Sequence, residues 1–139
     1  MKKAALDSTV AGVGGLAAFL FGELDGAFFA LIAMVVLDYI TGFVSAAVHK
    51  RLSSRVGFEG IFKKIMVFVV IAVANIIDVH VFAASGVLRT AAIFFFISNE
   101  GLSILENAGR MGLPIPKKLL DVLEQLRAKN NDSEGEKHE

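Results

Sequence analysis

Two stretches of this chain, Ala27 to Val48 and Ile65 to Ala84, are apolar for about six helical turns each. A third, Val87 to Leu105, is long enough too but carries Arg89 and Glu100. A bilayer core of about 30 Å takes roughly 20 residues at a helical rise of about 1.5 Å. The strings FFALIAMVVL and IMVFVVIAVA lack the polar residue every few positions that a soluble amphipathic helix carries. This pattern predicts an all-α, multi-pass integral membrane protein whose ionisable residues at membrane depth need partners.

The segment Ser8 to Gly22 is shorter and rich in Gly and Ala. It reads as a weak first span, one arm of a hairpin with 27–48 closed by Glu23, Leu24, Asp25 and Gly26; the alternative is a poor helix lying at the interface. Gly12, Gly14 and Gly15 each cost a helix roughly 1 kcal/mol relative to Ala, yet in a membrane they permit close backbone approach. The basic start Lys2-Lys3 resembles a signal n-region, but Asp7 intrudes, and Glu23 and Asp25 stand where a small-residue cleavage site belongs. An uncleaved span is therefore expected. The second hairpin joins 65–84 and 87–105 through Ser85-Gly86. Four spans are preferred over three, because both ends then lie with the basic residues.

Those residues, Lys50, Arg51, Arg55, Lys63 and Lys64, occur with a single acid, Glu59, between the second and third apolar segments. The positive-inside rule places this loop in the cytoplasm, along with both termini; contact with anionic lipid is a further expectation for it. Residues 1–107 form the membrane domain in this reading. Residues 108–129 form a linker broken at Gly112, Pro114 and Pro116, then an amphipathic cytoplasmic helix from Lys117 with Leu119, Val122, Leu123 and Leu126 on one face. The charged stretch 130–139 is expected to be disordered.

Charges at the bilayer centre cost about 2.5–3.5 kcal/mol on insertion scales, so they face a bundle interior or water. Asp38, with Thr41, Gly42 and Ser45 on its helical face, suits either helix–helix bonding or a hydrated lumen. Counting along the apolar segments puts Asp38 and Asn75 near the midplane and Glu100 about one turn further in. The hairpin register suggests an Asp78–Arg89 pair and a pair of Glu106 with Lys63 or Lys64; alternatively Asp78, His80 and Arg89 snorkel to the interface. The run Phe94-Phe95-Phe96 faces lipid or fills packing space. His80 has no second ligand at helical spacing, and no catalytic triad, phosphate loop or dinucleotide fingerprint occurs, so an enzyme, a metal site or a cofactor is not expected. Net charge is zero, which gives no case for nucleic acid.

Several strings are more specific. Leu37-Asp38-Tyr39-Ile40-Thr41-Gly42 is followed by Leu52-Ser53-Ser54 with Gly57, Gly60 and Lys63-Lys64. Ile97-Ser98-Asn99-Glu100-Gly101-Leu102-Ser103-Ile104-Leu105-Glu106-Asn107 then precedes Gly112-Leu113-Pro114-Ile115-Pro116. Together, over Ala27 to Leu126, the chain resembles the bacteriophage holin family that also includes the clostridial toxin-secretion holins. The resemblance implies accumulation in the host cytoplasmic membrane, homo-oligomerisation and opening of lesions. An endolysin then reaches the cell wall without needing direct contact with the holin; in the toxin-secretion relatives a toxin is released. An antiholin is a further implied partner. The matching positions are Asp38, Thr41, Gly42, Asn99, Glu100, Glu106 and Asn107. The next methionine after Met1 is Met34, inside the second segment, so no short pair of start sites is visible. A small ion channel or transporter subunit and an antiholin are the competing expectations.

Overall fold

The structure is a computed structural model that describes residues 2–83 and 86–135. Among the described residues there are five helices: α1 (Lys2–Phe21), α2 (Gly26–Val48), α3 (Ser54–His80), α4 (Val87–Arg110) and α5 (Lys117–Gly135). Gly26–Val48, Gly57–His80 and Val87–Arg110 are long and apolar enough to cross a membrane. The apolar part of α1, Leu6–Phe21, is shorter than a full span.

Helix α2 starts at Asp25, whose backbone is extended and whose Oδ1 accepts the Phe28 N–H at 2.8 Å, satisfying one of the free donors of the first turn. At its other end His49 Nδ1 donates to the Ser45 carbonyl at 2.7 Å; the carbonyl can only accept, so this nitrogen carries the proton. Helix α4 ends in a glycine turn: Gly112 adopts φ +87°, and the Leu113 N–H returns to the Ala108 carbonyl at 3.1 Å. Pro114 and Pro116 keep the chain out of the helix until α5.

Several element boundaries differ from the sequence reading: α1 begins at Lys2 rather than Ser8, and α4 runs to Arg110 rather than Leu105. The basic segment is mostly helical, since α3 begins at Ser54 rather than Ile65 and leaves only His49–Ser53 as a connection. An Arg55–Glu59 pair one turn apart (3.0 Å) supports this added stretch. Its glycines are tolerated because they pack on an aromatic ring: a Cβ on Gly60 would lie 3.6 Å from Tyr39 Cε2. Helix α3 then ends at His80 instead of Ala84; Ala84 and Ser85, expected in the span and the turn, lie outside the described residues. Helix α5 continues past Lys129 to Gly135, so the start of the stretch expected to be disordered is helical. Once a helix is nucleated on packed residues, each added residue costs little.

The pairing of helices also differs. The expected α1–α2 hairpin does not close on itself; α1 packs along α3, while α4 is the hub against which α2, α3 and α5 pack. A Cβ on Gly12, Gly14 or Gly15 would meet nothing within 4 Å, so these glycines mediate no close helix approach within the bundle. Helix α5 folds back on α4, where a Cβ on Gly101 would meet Leu123 at 3.2 Å and Met34 at 3.1 Å. Of its apolar face, Leu119 and Val122 remain exposed. The apolar core joins Phe28, Leu31 and Val35 of α2 with Val67 and Ile71 of α3 and Ile93 of α4. Phe21, Phe28 and Phe68 pack at its edge in tilted and edge-to-face arrangements, with centroids 5.1–6.3 Å apart. Of the phenylalanine run, Phe96 packs against this core, whereas Phe94 is half exposed.

Among the described residues, eight polar or charged side chains are buried against seven hydrophobic ones, while Phe29, Leu37, Ile40, Phe62 and Val73 face outward. A soluble bundle would reverse this distribution. Here the outer surface matches hydrocarbon and the interior holds the polar groups.

Candidate functional site

The buried polar groups form two networks, one toward each end of the bundle. The first joins α2, α3 and α4. Asp38 and Glu100 each lie ten residues before the end of their helix (Val48 and Arg110), about 15 Å by the helical rise. Both face Lys64, which enters from α3. Lys64 Nζ lies 2.5 Å from Asp38 Oδ2 and also donates to Glu100 Oε2. Asn107 Nδ2 donates to Asp38 Oδ1 and to Thr41 Oγ1, both at 3.3 Å. A Cβ on Gly42 would stand 3.5 Å from that same Asn107 nitrogen, so a side chain here would crowd the amide. The residue set Asp38, Thr41 and Gly42 thus forms one stripe that receives Asn107.

With both carboxylates ionised, Asp38, Lys64 and Glu100 carry a formal charge of −1 inside the bundle. Asp38 is 7% and Glu100 5% exposed. Every buried side-chain nitrogen and oxygen among the described residues has a hydrogen-bond partner, so the network meets the condition under which buried charge is tolerable.

The second network ties the α1–α2 turn to α3 and α4. Arg89, 6% exposed, extends its guanidinium into the turn. Its Nη1 pairs with Asp25 Oδ2 at 2.9 Å, its Nε donates to the Phe21 carbonyl and its Nη2 to the Glu23 carbonyl. Asn75 Nδ2 donates to the Phe19 and Leu20 carbonyls at 3.1 and 3.2 Å, capping the C-terminus of α1. Gly22 sits between them at φ +73°, where a Cβ would come within 2.5 Å of Asn75 Oδ1; only glycine meets both demands. Asp78 caps α4 across the helix boundary, accepting the Leu88 N–H at 3.1 Å and the Arg89 N–H at 2.8 Å. Outside the spans, Asp25 is titratable: its hydrogen bond to Arg89, then that to the Phe28 N–H, holds its carboxyl below the ordinary value of 3.8.

These contacts correct two expected ion pairs. Asp78 meets Arg89 through the backbone, not the guanidinium, because an N-terminal helix turn offers two free N–H donors and the arginine is long enough to reach the opposite turn. Glu106 does not meet Lys63 or Lys64; it is exposed, 4.0 Å from Arg110, while Lys64 is drawn inward by two carboxylates. Asn75 belongs to the turn end, not to the level of Asp38, because α3 ends at His80. Asn99 is half-buried and lies outside both networks, and Lys50, Arg51, Arg55 and Lys63 are exposed. Sequence reasoning missed Lys64 as a core group, and Asp25 and Gly22 as parts of the clamp. A signal for Lys64 exists: it shares one helical face with Val67, Ile71, Asn75 and Asp78, at spacings of 3, 7, 11 and 14. Among the described residues, no group of three or more His, Cys, Asp or Glu side chains is placed to hold a metal ion.

A bundle with an apolar exterior, three helices of spanning length and a charged interior defines a small helical membrane protein. The chain belongs to the bacteriophage holin family, which it matches over residues 15–128. It is 39% identical over 130 residues to an uncharacterised protein of Listeria innocua, covering 94% of this chain and 91% of that one. An uncharacterised 14.9 kDa protein of Clostridium perfringens is 38% identical over 120 residues, covering 86% of this chain and 91% of the relative. A protein of Bacillus phage phi105 named as a probable holin is 39% identical over 120 residues, covering 86% and 87%. No solved structure matches the chain.

Proposed function

We propose that this protein oligomerises in the bacterial cytoplasmic membrane and opens lesions through which a cytoplasmic endolysin reaches the cell wall. The observation that carries this reading is the charged network of Asp38, Lys64, Glu100 and Asn107 inside an otherwise lipid-compatible bundle. In the closed bundle these groups satisfy one another. In an assembly of several copies the same faces can line water, where the formal negative charge is solvated instead of enclosed. Family membership supports the same function. Helix α5 adds support: Asp121, Glu124 and Gln125 are exposed while Leu123 packs at Gly101, nine residues inside the end of α4. Carboxylates near that level need water or a partner copy.

A charge moved across the membrane field changes energy by about 2.3 kcal/mol per 100 mV, so loss of the membrane potential is a trigger able to shift such an assembly. The topology that goes with this reading has both termini in the cytoplasm and α1 as a short fourth crossing.

The test is inducible expression in a bacterium with and without a cytoplasmic endolysin, following culture density and release of a large cytoplasmic enzyme. Abrupt growth arrest, with lysis only when endolysin is present, is expected. Ion leakage without lysis would point to a small channel, and unimpaired growth despite membrane insertion to an antiholin. In the same assay Asp38→Asn is expected to change lysis time; an unchanged time removes charge at this position from the mechanism.

A further inference from the structure

A cavity of about 920 Å³ opens between the C-terminal half of α2, the connection at 49–53, the start of α3 and the end of α4. It falls within the size range of sites for small molecules and lipid headgroups. The cations on its wall are Arg51, Lys63, Lys64 and Arg110, beside the imidazole of His49 and against Asp38 and Glu59. Their commitments differ. Lys64 is engaged with Asp38 and Glu100, Glu59 is held by Arg55, and Arg110 is only 4.0 Å from Glu106. Arg51 and Lys63 make no ion pair among the described residues. Both acids are thus answered from within the protein, and the two uncommitted cations leave the cavity positive.

We propose that this cavity binds the phosphate headgroup of an anionic phospholipid. A phosphodiester offers two oxygens that match the planar fork of Arg51, with Lys63 as a second point charge. Basic pockets between spanning helices at the membrane surface suit this chemistry. The apolar part of the wall selects a lipid over a soluble phosphate. Phe43 and Leu52 line the cavity and are 53% and 50% exposed, so its apolar wall continues onto the outer surface, where acyl chains lie. The proposal is independent of whether the protein opens lesions.

The test uses the full chain purified in a neutral detergent and incubated with phosphatidylglycerol or phosphatidylcholine, with retained lipid counted by native mass spectrometry. Two double variants are compared, R51A/K63A and K50A/K118A. Each removes two exposed cations, but Lys50 and Lys118 do not line the cavity. Phosphatidylglycerol is expected to be retained over phosphatidylcholine by wild type and K50A/K118A alike. In R51A/K63A retention is expected to fall by about tenfold or more, the scale of one lost charge-assisted hydrogen bond. Unchanged melting of R51A/K63A checks that the bundle is intact. Equal retention of phosphatidylcholine overturns the proposal. So does an equal loss in K50A/K118A, which would mean that only total charge matters. Displacement of the lipid by millimolar inorganic phosphate would show a soluble-anion site and overturn the lipid assignment.

Discussion

Replacing Lys64 by Met isolates the energetics of the central network. The substitution keeps an unbranched stem of similar length and removes the ammonium that both Asp38 and Glu100 contact. At 2.5 Å and an effective dielectric constant of about 20, the Asp38 contact is worth roughly 7 kcal/mol before desolvation. Desolvation of the lysine offsets much of that, and removing one partner of a buried pair costs about 3–5 kcal/mol in practice. Because two carboxylates are orphaned together, K64M is expected at the upper end, about 4–5 kcal/mol. The accompanying variant K64M/D38N/E100Q removes the orphaned charges and is expected to regain most of the loss. Thermal unfolding and membrane accumulation of the three proteins, in one detergent at pH 7, measure this. A K64M protein as stable as wild type would refute the buried-network reading. A triple variant no better than K64M would mean that orphaned charge is not the source of the loss.

Other perturbations have separable readouts. Asn107→Ala deletes the hydrogen bonds to Asp38 and Thr41 and is expected to cost about 1–3 kcal/mol; Asn107→Asp, which places a carboxylate against Asp38, is expected to cost more, and the order of the two melting points checks it. Arg89→Lys keeps the charge but loses the fork that reaches Phe21, Glu23 and Asp25 at once. It is expected to destabilise by about 1.5–3 kcal/mol, read as faster amide exchange of the 22–25 turn with α2 unchanged. Gly22→Ala is strained by the positive φ and meets Asn75 Oδ1 at 2.5 Å, so a loss of more than about 1 kcal/mol is expected in the same melting assay. The Asp25 carboxyl is held below 3.8 in the folded state. Its contribution is therefore fully present above about pH 4 and is lost as pH falls through the lowered folded value. Protection of the turn's amides, taken relative to their intrinsic exchange rate at each pH, should fall over that acidic range in wild type, and Asp25→Asn should remove this loss of protection.

The sequence by itself determined the helical class, the approximate positions of the three long apolar helices and the fact that their interior must contain polar groups. Hydrophobic length is a local property, and a bilayer imposes one length on every span. It also placed Asp38, Thr41 and Gly42 on one face, because a 3.6-residue period fixes faces without reference to neighbours. The family's motif residues were legible as strings, and Asp38, Glu100 and Asn107 among them converge in the structure. The partners were not legible. Lys64 looked like a loop cation because a run of charges ends an apolar segment on paper, whereas α3 continues through it and turns the side chain toward two carboxylates on other helices. Arg89 and Asp78 sat close in the hairpin register, yet one side chain reaches the α1–α2 turn and the other the free N–H groups of α4. Only the tertiary structure decided these pairings, because a buried charge is satisfied by the groups that packing brings near it, and packing is set by side-chain shapes on several helices at once. For the same reason α1 lies along α3 instead of α2, where Asn75 caps its last carbonyls.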